Sequence, residues 1–167
     1  MRIGIISDTH GLLRKEVENQ LKDCDLIVHC GDIGKQEVID KLSELGKVEF
    51  IKGNVDKDID ISLAPKDKII EVMNKRIYLI HNIAELNIDL YKGNIDIVMY
   101  GHSHKSKIYK EDGILYINPG SVGPRRFKLP TTMMKLTILD NESKDIQETK
   151  ENTFIYKCYR VEQITID

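Results

Sequence analysis

Short apolar segments alternate with segments of helical spacing through the first fifty residues of the chain. Residues 3–6, 26–28 and 48–51 are short runs rich in apolar residues, which is typical of strands buried on both faces. The segments between them carry apolar residues at helical spacing, which predicts two amphipathic helices: Leu12, Leu13, Val17 and Leu21 in one, and Val38, Ile39, Leu42 and Leu45 in the other. Gly46 follows the second helix, where glycine favours helix termination. This order predicts a parallel sheet with right-handed crossovers.

The pattern changes after residue 57. Residues 57–66 are charged and predict a loop, and two strands over 69–73 and 76–80 predict a hairpin with Asn74-Lys75 as its turn. Ile83, Leu86 and Leu90 predict a short helix, which precedes a buried strand over 95–100.

The chain beyond residue 105 shows strand patterns without helical ones. The predicted strands cover 105–110, 114–118, 132–139 and 154–161, with turns at 112–113, 119–120 and 140–143. We therefore expect one domain over residues 1–167 with two sheets, the first mainly parallel and the second largely antiparallel.

Composition limits the kind of protein this can be. The 167 residues are 41% hydrophobic, which is enough for a globular core without disulfides or a structural metal. A formal charge of −2 argues against nucleic-acid binding, because counterion release requires excess positive charge. The three cysteines form no CxxC pair, and we recognise no signal peptide. No apolar run approaches the roughly 20 residues of a membrane helix. These features predict a cytoplasmic protein without membrane contact.

Polar side chains follow five of the predicted strands directly. Because the carboxyl ends of parallel strands meet at one edge of a sheet, we expect these side chains to converge in one crevice. In chain order they are Asp8, His10, Asp32, Asn54, His81, His102 and His104.

The chemistry of these seven side chains indicates a catalytic metal site. Carboxylate, amide and imidazole donors without a thiolate suit Mn, Fe, Ni, Co or Zn. A structural zinc site, in contrast, is usually rich in cysteine. Seven donors are too many for one ion and fit two ions that share a ligand.

Each residue has a simpler interpretation when it is taken alone. Asp8 and Asp32 could cap helices, His81 could be a hydrogen-bonded core histidine, and His102 and His104 could lie on the surface. His29 is expected to be packed in the core or to support the site, and Cys30 to lie in the core. Asp56 could orient Asn54 or form a turn, and residues 118–123 could bind phosphate or turn beneath the site. A basic cluster could meet an anion or form a solvated loop: Arg125, Arg126 and Lys128.

The order DxH, GD, GN, H, GHxH resembles the calcineurin-like metallophosphoesterase superfamily. The GNxD at 53–56 and the NPGS at 118–121 are similar to its small prokaryotic phosphodiesterase branch, which is YfcE-like. The resemblance covers residues 1 to about 139. It implies an α/β fold, a four-layered α/β/β/α sandwich of two mixed β-sheets flanked by helices.

The resemblance also implies a site and an activity. One ion would be held by Asp8, His10, Asp32 and His104, and the other by Asp32, Asn54, His81 and His102, so that Asp32 bridges. The implied cofactors are two divalent transition-metal ions, Mn or Ni foremost, with Fe, Co or Zn as alternatives. The implied enzyme is a phosphodiesterase that acts on a small phosphate ester by in-line attack of an activated hydroxide on phosphorus. Its catalytic residues act through the metal centre: Asp32, Asn54 and His81.

Two positions depart from the family pattern. Val55 stands where larger members have a histidine that is thought to protonate the leaving group, and Asn82-Ile83 replaces the usual Gly-His of the branch. The alternatives left open are a phosphomonoesterase or pyrophosphatase with the same site, and a non-catalytic protein-binding scaffold of the same fold. The sequence also leaves the oligomeric state open, a homo-oligomer included.

Overall fold

Two stacked β-sheets form the centre of the computed structural model, which describes residues 1–57, 64–126, 128–139 and 152–166. The helices are α1 (Lys15–Leu21) and α2 (Gln36–Leu45), and a 3-10 helix covers Ile83–Glu85. The strands are β1 (Arg2–Ile6), β2 (Leu26–His29), β3 (Val48–Phe50), β4 (Asp67–Val72), β5 (Lys75–Ile80), β6 (Ile97–Met99), β7 (Lys107–Glu111), β8 (Ile114–Asn118), β9 (Thr131–Ile138), β10 (Thr153–Tyr156) and β11 (Tyr159–Ile166).

Both sheets are mixed. The first has the order β10-β11-β9-β1-β2-β3, and only β1–β2 and β2–β3 pair in parallel. The second has the order β4-β5-β6-β8-β7, with parallel pairs at its centre and antiparallel pairs at both edges. The prediction of a mainly parallel and a largely antiparallel sheet was therefore wrong. Strand periodicity reports which faces are buried, and it does not report that β9–β11 join the first sheet beside β1.

The layers follow from which faces of the strands are apolar. Ile3 and Ile5 of β1 face Ile77 and Leu79 of the second sheet in the core between the sheets. The opposite face of the first sheet packs against α1 and α2 through Val17, Leu21, Val38 and Leu42. The outer face of the second sheet is covered by the segment 83–95, in which the 3-10 helix is the one helical element. The α/β class and the two mixed sheets implied by the resemblance are confirmed.

The first predicted hairpin forms, with its turn shifted by one residue. Val72 pairs with Lys75, so the turn residues are Met73 and Asn74 instead of Asn74 and Lys75. Both have positive φ, 49° and 59°, as a two-residue hairpin turn requires. The turn at 112–113 is as predicted, since Glu111 pairs with Ile114.

Three further local predictions differ from the structure. The helix expected from Ile83 to Leu90 is the three-residue 3-10 helix alone. The strand expected over 154–161 is a hairpin of β10 and β11, because Lys157 has a φ of 52° and the chain reverses there. Gly46 ends α2 with an extended φ of 165°, so no left-handed glycine cap is involved.

Two predicted loops fall partly or wholly outside the described residues: 58–63 of the charged loop, and the turn at 140–143. Among the residues that are described, no helix has both the length and the apolar character needed to span a membrane.

Candidate metal centre

The loops after the central strands are joined by backbone hydrogen bonds that continue the sheets. Asp8 N–H donates to the carbonyl of Gly31 at 3.0 Å, and His10 N–H donates to the carbonyl of Asp32 at 2.9 Å. In the second sheet, Gly101 N–H donates to the carbonyl of His81 at 2.9 Å. These bonds join the loop that carries Asp8 and His10 to that of Asp32, and the loop of His81 to that of His102 and His104, at the carboxyl ends of the strands as predicted.

Asp8, His10 and His104 form one group of side chains able to hold an ion. Nε2 of His104 lies 3.2 Å from Oδ1 of Asp8 and 3.5 Å from Nε2 of His10. The two imidazole rings are stacked, with centroids 5.3 Å apart. Asp8 and His104 are buried, so their desolvated donor atoms face one another in a space that excludes bulk water.

Asp8, Asp32 and His81 form the second group. Oδ1 of Asp32 lies 3.4 Å from Nε2 of His81, and Oδ2 lies 3.9 Å from Nε2 of His10. The Asp32 carboxylate therefore stands between a histidine of each group. Asp8 belongs to both groups, which sequence reasoning did not anticipate.

Three buried atoms at this site have no hydrogen-bond partner among the described residues: Oδ1 of Asp8, Nε2 of His81 and Nδ1 of His104. His81 Nδ1–H donates to the carbonyl of Cys30 at 2.7 Å, which leaves its Nε2 lone pair directed at Asp32. That Nε2 and Oδ1 of Asp8 are both buried without a hydrogen bond. Leaving such groups unpaired is costly, and a divalent cation would satisfy both. A backbone acceptor on the far nitrogen is also what orients metal-binding histidines. The residues present therefore fit a metal ion.

The other two predicted residues lie outside these groups. Asn54 is exposed and lines a cavity of about 350 Å³ together with His81. His102 is also exposed, and its ring stands edge-on to that of His81 with the centroids 5.3 Å apart. His102 therefore borders His81 but belongs to neither group, while Asn54 shares the cavity with His81.

The backbone of the site is unusual. Five of the seven predicted residues have positive φ: Asp8 (56°), His10 (46°), Asp32 (54°), His102 (67°) and His104 (56°). L-residues with side chains rarely adopt this region, and such strain collects at functional sites where the surroundings enforce it.

The carboxylates differ in their proton affinity. Burial raises the pKa of Asp8 to about 6. Burial also acts to raise the pKa of Asp32, but its interaction with His81 at 3.4 Å and the backbone N–H of Val55 outweigh it and hold that pKa well below its usual range. Burial, assisted by the charge of Arg126, lowers the pKa of His104 to about 4. At neutral pH His104 is thus a neutral imidazole and Asp32 is ionised, the forms that bind metal.

Asp56 joins two of the loops that carry the site. Its Oδ2 accepts N–H bonds from Ile33 and Gly53 at 3.0 and 2.8 Å, and its Oδ1 accepts one from Gly34 at 2.7 Å. Asp56 therefore orders the loops around Asp32 and is not a simple turn residue.

His29 hydrogen-bonds to the two loops that carry Asp8 and Asp32. Its Nδ1 accepts the N–H of Gly31 at 3.2 Å, so its Nε2–H donates to Thr9 Oγ1 at 2.9 Å. His29 is fully buried, as is Cys30, in agreement with packed roles for both.

The simpler interpretations of the aspartates are wrong. The N-caps of α1 and α2 are Arg14 and Lys35, and neither helix has a side-chain cap. His104 is buried and not on the surface, whereas His102 is exposed.

The segment 118–123 is a turn that braces the site. Asn118 Nδ2 donates to the carbonyl of Gly101 at 2.8 Å, and Ser121 Oγ donates to the carbonyl of Asp8 at 3.1 Å. The N–H groups of Gly120, Val122 and Gly123 bond to Asn118 Oδ1, Ser7 O and Ser121 Oγ. These amides are thus used within the fold, which favours the turn over a phosphate-binding nest. The supporting roles of Asn118 and Ser121 were missed, although both lie in the NPGS motif.

Comparisons with known proteins identify the family of this chain. The model of the calcineurin-like phosphoesterase superfamily domain matches residues 1–141. A probable metallophosphoesterase of Methanocaldococcus jannaschii is 35% identical over 153 residues, which cover 84% of this chain and 77% of the relative. A phosphodiesterase of the same organism is 31% identical over 167 residues, which cover 89% of this chain and 98% of the relative.

A solved structure shares the fold. Vacuolar Protein Sorting 29 from Cryptosporidium parvum is 18% identical, with a TM-score of 0.73 over 99% of this chain and 98% of the other. The family match over residues 1–141 and the two relatives, which are 35% and 31% identical, establish the family of this chain. The chain belongs to the calcineurin-like phosphoesterase superfamily.

Proposed function

We propose that this protein is a phosphodiesterase that depends on two divalent transition-metal ions, Mn or Ni foremost. The observation that carries the proposal is that two buried ligand atoms, Oδ1 of Asp8 and Nε2 of His81, have no hydrogen-bond partner in the described part of the chain, within overlapping groups of carboxylates and imidazoles. Such an arrangement is expensive in a folded protein unless a cation binds there.

The ligand sets of the proposal share Asp32, whose two oxygens face a histidine of each set. When bound, the two ions would generate a nucleophile from water at neutral pH and stabilise charge during in-line displacement. Two dications exceed the charge of the two aspartates, which suits an anionic phosphate ester. The ligands of one ion would be Asp8, His10, Asp32 and His104, and those of the other Asp32, Asn54, His81 and His102.

One chemical argument and two observations favour a diester as the substrate. A diester carries one negative charge and resists hydroxide attack less than a monoester. The cavity beside Asn54 and His81 has about 350 Å³ of space for an organic substituent. A relative that is 31% identical is named a phosphodiesterase.

Leaving-group protonation distinguishes this chain from larger members. Val55 is 48% exposed beside Asn54, and its side chain has no proton to give. The departing oxygen must then leave as an anion or take its proton from water.

The fold shared with a vacuolar sorting protein favours the scaffold alternative only at the level of fold. The filled set of metal-ligand positions favours the enzyme. A phosphomonoesterase or pyrophosphatase would use the same residues, and a panel of esters separates these activities from a diesterase.

The test begins with protein purified without chelator. We expect bound transition metal, and loss of bis(p-nitrophenyl) phosphate hydrolysis after chelation with recovery on adding Mn or Ni. The Asp32→Asn variant should lose both metal and activity while remaining folded by circular dichroism. Full activity in chelator, with no metal by elemental analysis, would overturn the proposal.

A further inference from the structure

Arg126 reaches the candidate metal centre from the segment that follows the 118–123 turn. Its Nη2 lies 3.4 Å from Nε2 of His10. Arg126 also lines a small cavity together with His104. The neighbouring Arg125 is exposed in the same way, which makes it a matched comparison in sequence and charge.

The approach of Arg126 is built into the fold. Val122 N–H donates to the carbonyl of Ser7 at 3.2 Å, which attaches this segment to the loop that carries Asp8. The side chain of Arg14 donates to the carbonyls of Val122 and Gly123 at 3.3 and 3.1 Å. Beyond Arg126, the N–H of Leu129 donates to the Arg126 carbonyl at 3.1 Å.

Within the ranges that the structure describes, the side chain of Arg126 contacts the imidazole of His10 at this site and forms no salt bridge with a carboxylate. The salt bridges here join His10 with Asp32 and His104 with Asp8. A neutral imidazole has one acceptor nitrogen, so Nε2 of His10 cannot accept from Arg126 and bind a metal ion at the same time. With metal on His10, the exposed N–H groups of Arg126 face the metal centre and can donate to water or to an anion bound there.

We infer that Arg126 binds a non-bridging oxygen of the substrate phosphoryl group and is a substrate-binding residue of this site. The inference rests on the proposed function. The guanidinium fork matches the geometry of phosphate oxygens, and a lysine ammonium reproduces its charge without that geometry.

The experiment measures phosphate binding in the absence of turnover. Inorganic phosphate is titrated calorimetrically into Mn-loaded wild type, Arg126→Ala, Arg126→Lys and the matched control Arg125→Ala. We expect about a ten- to hundredfold loss of phosphate affinity for Arg126→Ala, as removal of a charge-assisted hydrogen bond predicts, with metal content unchanged. Arg126→Lys should lie between wild type and alanine, and Arg125→Ala should match wild type.

The KM for bis(p-nitrophenyl) phosphate should rise in Arg126→Ala by a similar factor. Equal phosphate affinity in Arg126→Ala and Arg125→Ala, with metal bound in both, would overturn the inference. Failure of the proposed function has a different signature, because the metal-loaded protein would then hydrolyse none of the esters even where it binds phosphate through Arg126.

Discussion

Replacing Asp56 with asparagine tests how the loops of the metal-free site are held together. The carboxylate accepts three backbone N–H groups, those of Ile33, Gly34 and Gly53, at 2.7–3.0 Å. Asparagine has one oxygen in place of two, so its NH₂ group would face a backbone donor. At least one hydrogen bond to a charged acceptor is lost, and the other two lose the negative charge.

The size of the effect follows from these contacts. Losing a hydrogen bond to a charged group costs about 1.5–3 kcal/mol, so we expect Asp56→Asn to lower the free energy of unfolding by about 3 kcal/mol. For a domain of this length, that corresponds to a melting temperature lower by about 6–12 °C.

Asp32→Asn is the matched control. Oδ1 of Asp32 accepts one backbone N–H, that of Val55 at 3.1 Å, which an asparagine oxygen also accepts. Asp32→Asn therefore loses no backbone hydrogen bond, and its free energy of unfolding should fall by less than that of Asp56→Asn, while its metal binding is lost. Both variants are measured in chelator by thermal and urea unfolding. Equal stability of Asp56→Asn and wild type would show that Asp56 does not join the loops as argued.

Three further predictions concern the site and its support. In wild type, the hydrolysis rate should depend steeply on leaving-group pKa. Val55→His should flatten that dependence, because a general acid contributes about 10²–10⁴-fold to the rate. A flat wild-type series, with chemistry shown to be rate-limiting, would reveal another proton donor. Burial lowers the pKa of His29 to about 3, so the unfolded chain binds more protons below pH 6.5. Between pH 7.5 and 5, metal-free wild type should therefore lose about 2 kcal/mol more stability in urea unfolding than His29→Gln; parallel curves would contradict this. A Cβ at Gly53 would overlap the Asp32 carboxylate, so Gly53→Ala should weaken metal binding in calorimetry, and unchanged affinity would argue against this close approach.

Much of the chemistry of this protein is determined by the sequence alone. The strand and helix periods place Asp8, Asp32 and His81 directly after buried strands, and parallel strands bring such positions to one edge. Residue type then limits what that edge can bind. The family motif has the same basis, because donors that follow the strands closely lie near one another at this edge.

The local backbone was less accessible to sequence reasoning. Periodicity does not indicate which residue of a turn takes positive φ, and the hairpin turn at Met73 and Asn74 was therefore predicted one residue late. The five left-handed residues of the site carry no local signal either, because contacts with other loops enforce their conformation.

Tertiary structure alone decided how distant segments complete the site. Ser121 bonds to Asp8 across 113 residues of sequence, and Arg126 reaches His10 across 116. Asp56 likewise joins loops that periodicity treats as separate. The hydrophobic pattern within one helix or strand indicates which residues are buried and which element they form. These contacts depend instead on which strands pair and in what order, and packing of the whole chain determines that strand order.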